Sequence, residues 1–136
     1  DICAIMLDID HFKKVNDTYG HHAGDLVIQR LAKLIKLATR ETDICGRYGG
    51  EEFAIILPDT TEKTAKIMAE RLRKLVSLDA VQYEDIKIKT TISIGIAQFN
   101  SDYREAVLWL EDADKALYEA KEGGRNRVVL AHEQSE

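Results

Sequence analysis

The sequence predicts an α+β domain with a ferredoxin-like (split βαβ) core, an antiparallel-dominated sheet flanked by helices. Three observations carry that expectation. Ile2-Cys3-Ala4-Ile5-Met6-Leu7 is an unbroken apolar run, as a central strand covered on both faces requires. Helical stripes and short β-rich runs follow one another as β-α-β-β-α-β-β-α-β, and the first six elements match the split pattern. Gly49-Gly50-Glu51-Glu52 sits between two β-rich runs, which marks a hairpin.

Each element has its own signal. The first strand ends in Asp8-Ile9-Asp10, and a polar loop is expected from there to Gly20-His21-His22. Val27, Leu31, Leu34 and Ala38 recur at helical spacing, so 22–39 reads as an amphipathic helix. Ile44 to Tyr48 and Phe53 to Leu57 form the hairpin strands, with the glycines expected to supply positive φ at the turn and Pro58 to stop the second strand. Asp59 or Thr61 can cap the next helix, whose stripe is Ala65, Met68, Ala69, Leu72 and Val76. Ile86 to Lys89 is a short strand. In Thr91-Ile92-Ser93-Ile94-Gly95-Ile96 the isoleucines alternate with small residues, giving one strongly apolar face. Ala106, Leu110, Ala113, Leu117 and Ala120 mark a third helix that Gly123-Gly124 terminates, and Val128 to Leu130 is the last strand. The tail after Ala131 is polar and is expected to fray.

Composition bounds the function. The 136 residues are one domain, and 45% hydrophobic content supplies a core without disulfide or structural metal. A net charge of −5 argues against a broad nucleic-acid or anionic-membrane face, though it leaves room for a small phosphate pocket. Cys3 and Cys45 lack metal-ligand spacing and read as reduced thiols of a cytoplasmic domain. No apolar run reaches the roughly 18 residues of a membrane span. Because Asp1 already opens a core strand, the chain reads as a fragment of something longer.

The chemistry-bearing residues are carboxylates. Asp8 and Asp10 lie at the end of the buried strand, and Glu51 and Glu52 at the hairpin tip; if the strand pairs with the hairpin, the acids converge. Hard oxygen donors without His or Cys suit Mg²⁺, which takes one or two carboxylates plus substrate phosphates. Taken singly, an Asp after a strand is most often a cap, paired Glu in a turn are most often solvated, and Lys13, Lys121 and Arg125 are ordinary surface cations.

Four blocks in order change that weight. Arg47-Tyr48-Gly49-Gly50-Glu51-Glu52-Phe53 resembles the signature hairpin of the GGDEF family in its GGEEF form. Asp8-Ile9-Asp10-His11-Phe12-Lys13-Lys14-Val15-Asn16-Asp17 with Gly20-His21-His22-Ala23-Gly24-Asp25 resembles the family's metal and guanine-binding segment. Ser93-Ile94-Gly95, and the run from Ala113 to Lys121 with Gly124-Arg125-Asn126, are similar to its later blocks, so the match covers nearly the whole chain, 1–136 being a single GGDEF catalytic domain.

The resemblance implies a palm-like, nucleotidyl-cyclase fold and a diguanylate cyclase that condenses two GTP into cyclic di-GMP and pyrophosphate. It implies Mg²⁺, with Mn²⁺ as a substitute, held by the carboxylates of Asp8 and Glu51 and the carbonyl of Ile9. Asn16 and Asp25 would read the guanine edge, His21 would lie near the ribose or base, and Gly49 and Gly50 would let the hairpin backbone approach the nucleotide. Lys13, Lys121 and Arg125, with backbone N–H groups near His11 and Phe12, would neutralise the triphosphate; Glu51, assisted by Glu52, would deprotonate the 3′-hydroxyl. Since one domain holds one GTP, turnover needs a transient two-fold homodimer. Arg40-Glu41-Thr42-Asp43 resembles the family's RxxD inhibitory site for cyclic di-GMP, with Arg71 as a secondary contact. The family's usual helical segment with a DxLT-like motif is absent ahead of Ile2. Two rivals stand beside this reading: a GGDEF-like module that binds GTP or cyclic di-GMP without turnover, and a different nucleotidyl cyclase or palm-type polymerase.

Overall fold

The computed structural model describes residues 1–132. In order these form β1 (Ile2–Ile9), α1 (Phe12–Tyr19), α2 (His21–Ala38), β2 (Ile44–Arg47), β3 (Glu52–Pro58), α3 (Glu62–Leu78), β4 (Val81–Tyr83), β5 (Ile86–Ile88), β6 (Ile92–Gln98), α4 (Ala106–Glu122) and β7 (Val128–Leu130). The main sheet has the order β2-β3-β1-β6-β7. Its pairs are antiparallel except β6–β7, where the α4 crossover returns the chain in parallel. The split βαβ core is therefore present with one added strand.

Alternation along β1 decides what each face meets. Cys3, Ile5, Leu7 and Ile9 pack on the side of α2 and α3, with Val27, Leu31, Ala69 and Leu72. Ala4 and Met6 point the other way and join Ala113 and Leu117 of α4. Ile5, Ile55, Ile94 and Ile96 are at most 1% exposed, and burying each such side chain is worth about 1.5–3 kcal/mol. On β6 the isoleucines at 92, 94 and 96 serve the α2/α3 face. The small residues between them let α4 close in. A Cβ on Gly95 would stand 2.2 Å from the Ala113 carbonyl oxygen and 2.2 Å from the Leu117 amide nitrogen.

Three expectations need correction. The segment expected as a polar loop contains α1, separated from α2 by Gly20 at φ 96, whose N–H donates to the Asn16 carbonyl. Helix α1 has one buried residue, Val15, so it lacks the stripe that betrays a helix in sequence. Strand β4 was not foreseen; it pairs with β5 as a separate two-stranded ribbon. Finally, neither Gly49 nor Gly50 has positive φ, and a Cβ on either would meet nothing within 4 Å. Of the two candidate caps of α3, Thr61 is the one used, its hydroxyl accepting from the Thr64 N–H at 3.3 Å. The frayed tail expected beyond Ala131 falls mostly on 133–136, outside the described residues.

Candidate active site

Asp8 continues the face of Ala4 and Met6, so its carboxylate is directed toward α4. There Lys121, in the last turn of α4, donates a hydrogen bond to Asp8 Oδ2. The residue is 6% exposed, and its Oδ1 is buried without a hydrogen-bond partner. Burial lifts the Asp8 carboxyl above the usual range; the hydrogen bond and charge of Lys121 oppose this, while Glu51 and Asp10 reinforce it.

The hairpin is stitched to this strand end. Asp8 lies opposite Glu52 in the β1–β3 register, and the Ile9 N–H donates to the Glu51 carbonyl at 3.4 Å. Within the turn the Tyr48 N–H donates to the Glu52 carbonyl at 2.8 Å. Arg47 clasps the Gly50 carbonyl with Nε and Nη2 at 3.0 and 2.6 Å. No role was foreseen for Arg47; its position three residues before the turn carbonyl is the signal that could have found it. Glu52 also titrates above the ordinary glutamate range. Burial is the first cause, then the charges of Asp8 and Asp114, with Lys121 pulling the other way and Glu51 adding to the rise. Asp114, on α4, is a further acidic neighbour that the motif reading left without a role.

Asp10 does not join this group. Its Oδ2 accepts from Thr91 Oγ1 at 2.7 Å and from the Asn126 N–H at 3.0 Å, and its Oδ1 accepts from Ser93 Oγ at 2.7 Å. Asp8 and Glu52 are thus cross-strand neighbours, and the charge of Glu51 is felt by both, whereas Asp10 is turned into the fold.

Among the described residues no three His, Cys, Asp or Glu side chains gather in a metal-holding group. The available donor set is instead two carboxylates, Asp8 and Glu51, beside the Ile9 backbone. Such a set suits a hard divalent cation that keeps its other positions for water and phosphate, and the orphaned Asp8 Oδ1 is the atom that calls for one.

A second orphan lies at the α1–α2 junction. Asn16 Oδ1 is buried without a partner. Gly24 makes room for it: a Cβ there would fall 2.0 Å from Asn16 Oδ1 and 3.1 Å from Phe12 Cζ. Lys13, His21 and Asp25 are exposed along the same two helices. Arg125 lies in the turn after α4 at φ 64, its N–H donating to the Ala120 carbonyl.

The Arg40–Asp43 pair forms a separate feature between α2 and β2. The Arg40 Nε and Nη2 groups donate to Asp43 Oδ1 at 3.3 and 3.0 Å, and Nη2 also reaches the Pro58 carbonyl and Thr60 Oγ1. A cleft of about 470 Å³ beside it is lined by Lys36, Thr39, Arg40, Glu41, Asp43 and Cys45. Arg71 is exposed on α3 and takes no part in these contacts.

Comparison with known proteins places this geometry. The profile of the family described as "Diguanylate cyclase, GGDEF domain" matches residues 1–127. The chain belongs to the GGDEF-domain family. Among relatives of this GGDEF domain, diguanylate cyclase A of Treponema denticola is 51% identical over 127 residues, covering 93% of this chain and 34% of that protein. The GGDEF domain of DgcB from Caulobacter crescentus, solved in complex with c-di-GMP, superposes with a TM-score of 0.91 at 39% identity, over 96% of this chain and 77% of that one. The active GGEEF domain of a diguanylate cyclase from Vibrio cholerae gives 0.89 at 34% identity, over 96% and 83%. These neighbours share the palm-like α+β fold. The chain spans about a third of the length of the curated relatives it matches. None of the helices is long and apolar enough to cross a membrane, among the described residues.

Proposed function

We propose that this domain is a diguanylate cyclase that joins two GTP molecules into cyclic di-GMP and releases two pyrophosphates. The observation that carries the reading is the unpartnered Oδ1 of Asp8, buried where the Glu51–Glu52 hairpin is stitched to β1.

The chain's residues divide the work. Asp8, Glu51 and the Ile9 carbonyl would hold Mg²⁺, which when bound would supply positive charge against the phosphate oxygens. Asn16 Oδ1 and the Asp25 carboxylate accept from guanine N1–H and N2–H₂, donors that adenine does not present in that pattern. Lys13, Lys121 and Arg125 neutralise the triphosphate. Lys121 is paired with Asp8 in this structure, so taking up cation and nucleotide exchanges that partner for phosphate. The 3′-oxygen of one GTP attacks the α-phosphorus of the other, the bond to the β-phosphate oxygen breaks, and pyrophosphate leaves. The 3′-hydroxyl proton goes to Glu51. Beside it, Glu52 is readier than an ordinary glutamate to hold a proton, because burial and acidic neighbours disfavour its charge.

Two bonds are made between two nucleotides, and one domain seats one of them, so two copies face each other during turnover. Cyclic di-GMP also binds at Arg40 and Asp43, with Arg71 as a contact from a neighbouring domain, and inhibits in the low micromolar range, about −8 kcal/mol. The complex of the DgcB domain with c-di-GMP supports a second role for the product as a ligand.

Incubation with GTP and Mg²⁺, with products separated by chromatography and identified by mass, tests the reading beside Glu51→Gln. Cyclic di-GMP from the wild type alone supports it. GTP binding without product, at high protein concentration and in a longer chain, would instead make this a binding module; use of ATP as readily as GTP would make it a general palm enzyme.

A further inference from the structure

Asp10 is the buried carboxylate that the proposed chemistry leaves unused. It is 5% exposed, and all three of its close polar contacts come from other segments: Thr91, Ser93 and Asn126. Thr91 immediately precedes β6 and Ser93 lies in it, in register with β1, so these two are fixed by the sheet itself. The group that Asp10 restrains is Asn126, in the turn between α4 and β7.

That turn is unusual. Arg125 at φ 64 and Asn126 at φ 47 are consecutive non-glycine residues in the left-handed region. L side chains seldom occupy it, and such conformations persist where surroundings over-determine them. Here the surroundings do. The Asn126 N–H is held by Asp10 on one side, and Asn126 Oδ1 accepts from Arg73 Nη1 of α3 at 2.9 Å on the other. Arg73 is itself steadied by Glu70 at 3.1 Å. The Arg125 N–H is tied to Ala120, and the Arg127 carbonyl accepts from the Ile94 N–H, each at 2.9 Å. Asn tolerates the left-handed region and its side chain serves Arg73, so the costly choice is Arg125, at a position glycine would fill without strain.

We infer that Asp10 and Asn126 are positioning residues: together with Arg73 they lock a left-handed turn that aims the Arg125 guanidinium at the triphosphate. This rests on the reading above that Arg125 meets phosphate. A charge-assisted contact depends steeply on placement, and a flexible arginine that must be ordered on binding forfeits part of its gain.

Asp10→Asn tests the carboxylate directly and should weaken binding of the same GTP analogue used below, α,β-methylene GTP, without weakening guanosine. Because it can also fail through loss of a buried network, Asn126→Gly is the second, deciding variant. It keeps the N–H for Asp10, removes the Arg73 contact and relieves the positive φ. A purely structural role predicts that nucleotide affinity is untouched. The positioning role predicts a melting temperature equal to or above wild type and affinity for α,β-methylene GTP with Mg²⁺ weakened roughly tenfold, the scale of one charged hydrogen bond. Affinity for guanosine, measured by competition, stays unchanged. In an Arg125→Ala background the substitution adds nothing further. Unchanged affinity for the GTP analogue, a parallel fall for guanosine, or full additivity with Arg125→Ala overturns the assignment while leaving the functional reading intact. A wild-type domain that binds no GTP analogue overturns both.

Discussion

Lys121 and Asp8, 113 positions apart in the chain, meet through a hydrogen bond from the ammonium to Oδ2. The contact joins the last turn of α4 to the end of β1 and leaves the second carboxylate oxygen bare. The ammonium thus sits where a metal cation would compete for the same carboxylate.

Replacing Lys121 with Met should therefore split two affinities. Mn²⁺ or Mg²⁺ alone should bind several-fold more tightly, because no internal cation contests Asp8. GTP should bind roughly tenfold more weakly, because a phosphate partner is gone. Thermal-shift titrations with the metal and with GTP read both. Parallel movement of the two affinities would show that Lys121 is not an exchanging cation.

Gly24→Ala tests the base site. Its Cβ would fall 2.0 Å from Asn16 Oδ1, the end of a side chain that can rotate away, so the fold should survive while the proposed guanine acceptor is displaced. A rise in KM for GTP of about tenfold, with a melting temperature close to wild type, is expected. Unchanged KM would remove Asn16 from base recognition.

Arg40→Ala should abolish inhibition by cyclic di-GMP while leaving initial rates at low product near wild type. It also strips a donor from the Pro58 carbonyl and Thr60, so a small loss of stability should accompany it. Turnover assays with added product decide the point. If inhibition persists, the product does not use this pair.

A pH effect is expected at the α2–α3 contact. Arg30 Nε and Nη2 pair with the two oxygens of Asp79 at 2.8 and 2.9 Å. The hydrogen bond from Arg30, more than its charge, holds the Asp79 carboxyl below its usual range. A depressed folded-state value means stability that is present above the unfolded carboxylate value and lost as pH falls through the folded one. Asp79→Asn should lower the urea midpoint at neutral pH, and the gap to wild type should close in acid. A gap independent of pH would assign the loss to packing.

Much of this was legible in the chain. The double-sided burial of β1 shows in its unbroken apolar run, and pairing that strand with the hairpin brings the carboxylates at its end and on the turn into view. What escaped had weak local signals. Helix α1 is eight residues long with a single buried residue, and its N-cap, His11, makes no side-chain cap contact. Strand β4 is three residues long and turns into β5 through Glu84 at φ 52, without a glycine to announce it. Asp10 reads as a partner of Asp8 because both lie at the end of the buried strand. Only the tertiary positions of Thr91, Ser93 and Asn126 reveal that its oxygens are already taken. In the same way Gly95 read as merely small, whereas its hydrogen atoms set how closely α4 approaches β6.

The placement of β1 at the middle of the sheet has a consequence for how the chain is made. Its partners arrive late: β3 ends at Pro58 and β6 at Gln98. At roughly 5–20 residues per second of synthesis, several seconds separate translation of the central strand from translation of its second neighbour. During that interval an eight-residue, largely apolar segment with two open edges is present on the ribosome, the kind of surface that chaperones bind and that aggregates form around. The strand bearing Asp8 is thus synthesised before both of its sheet partners and is fully enclosed only after the second, so errors of translation or early release before Gln98 should yield insoluble chains rather than weakly active ones.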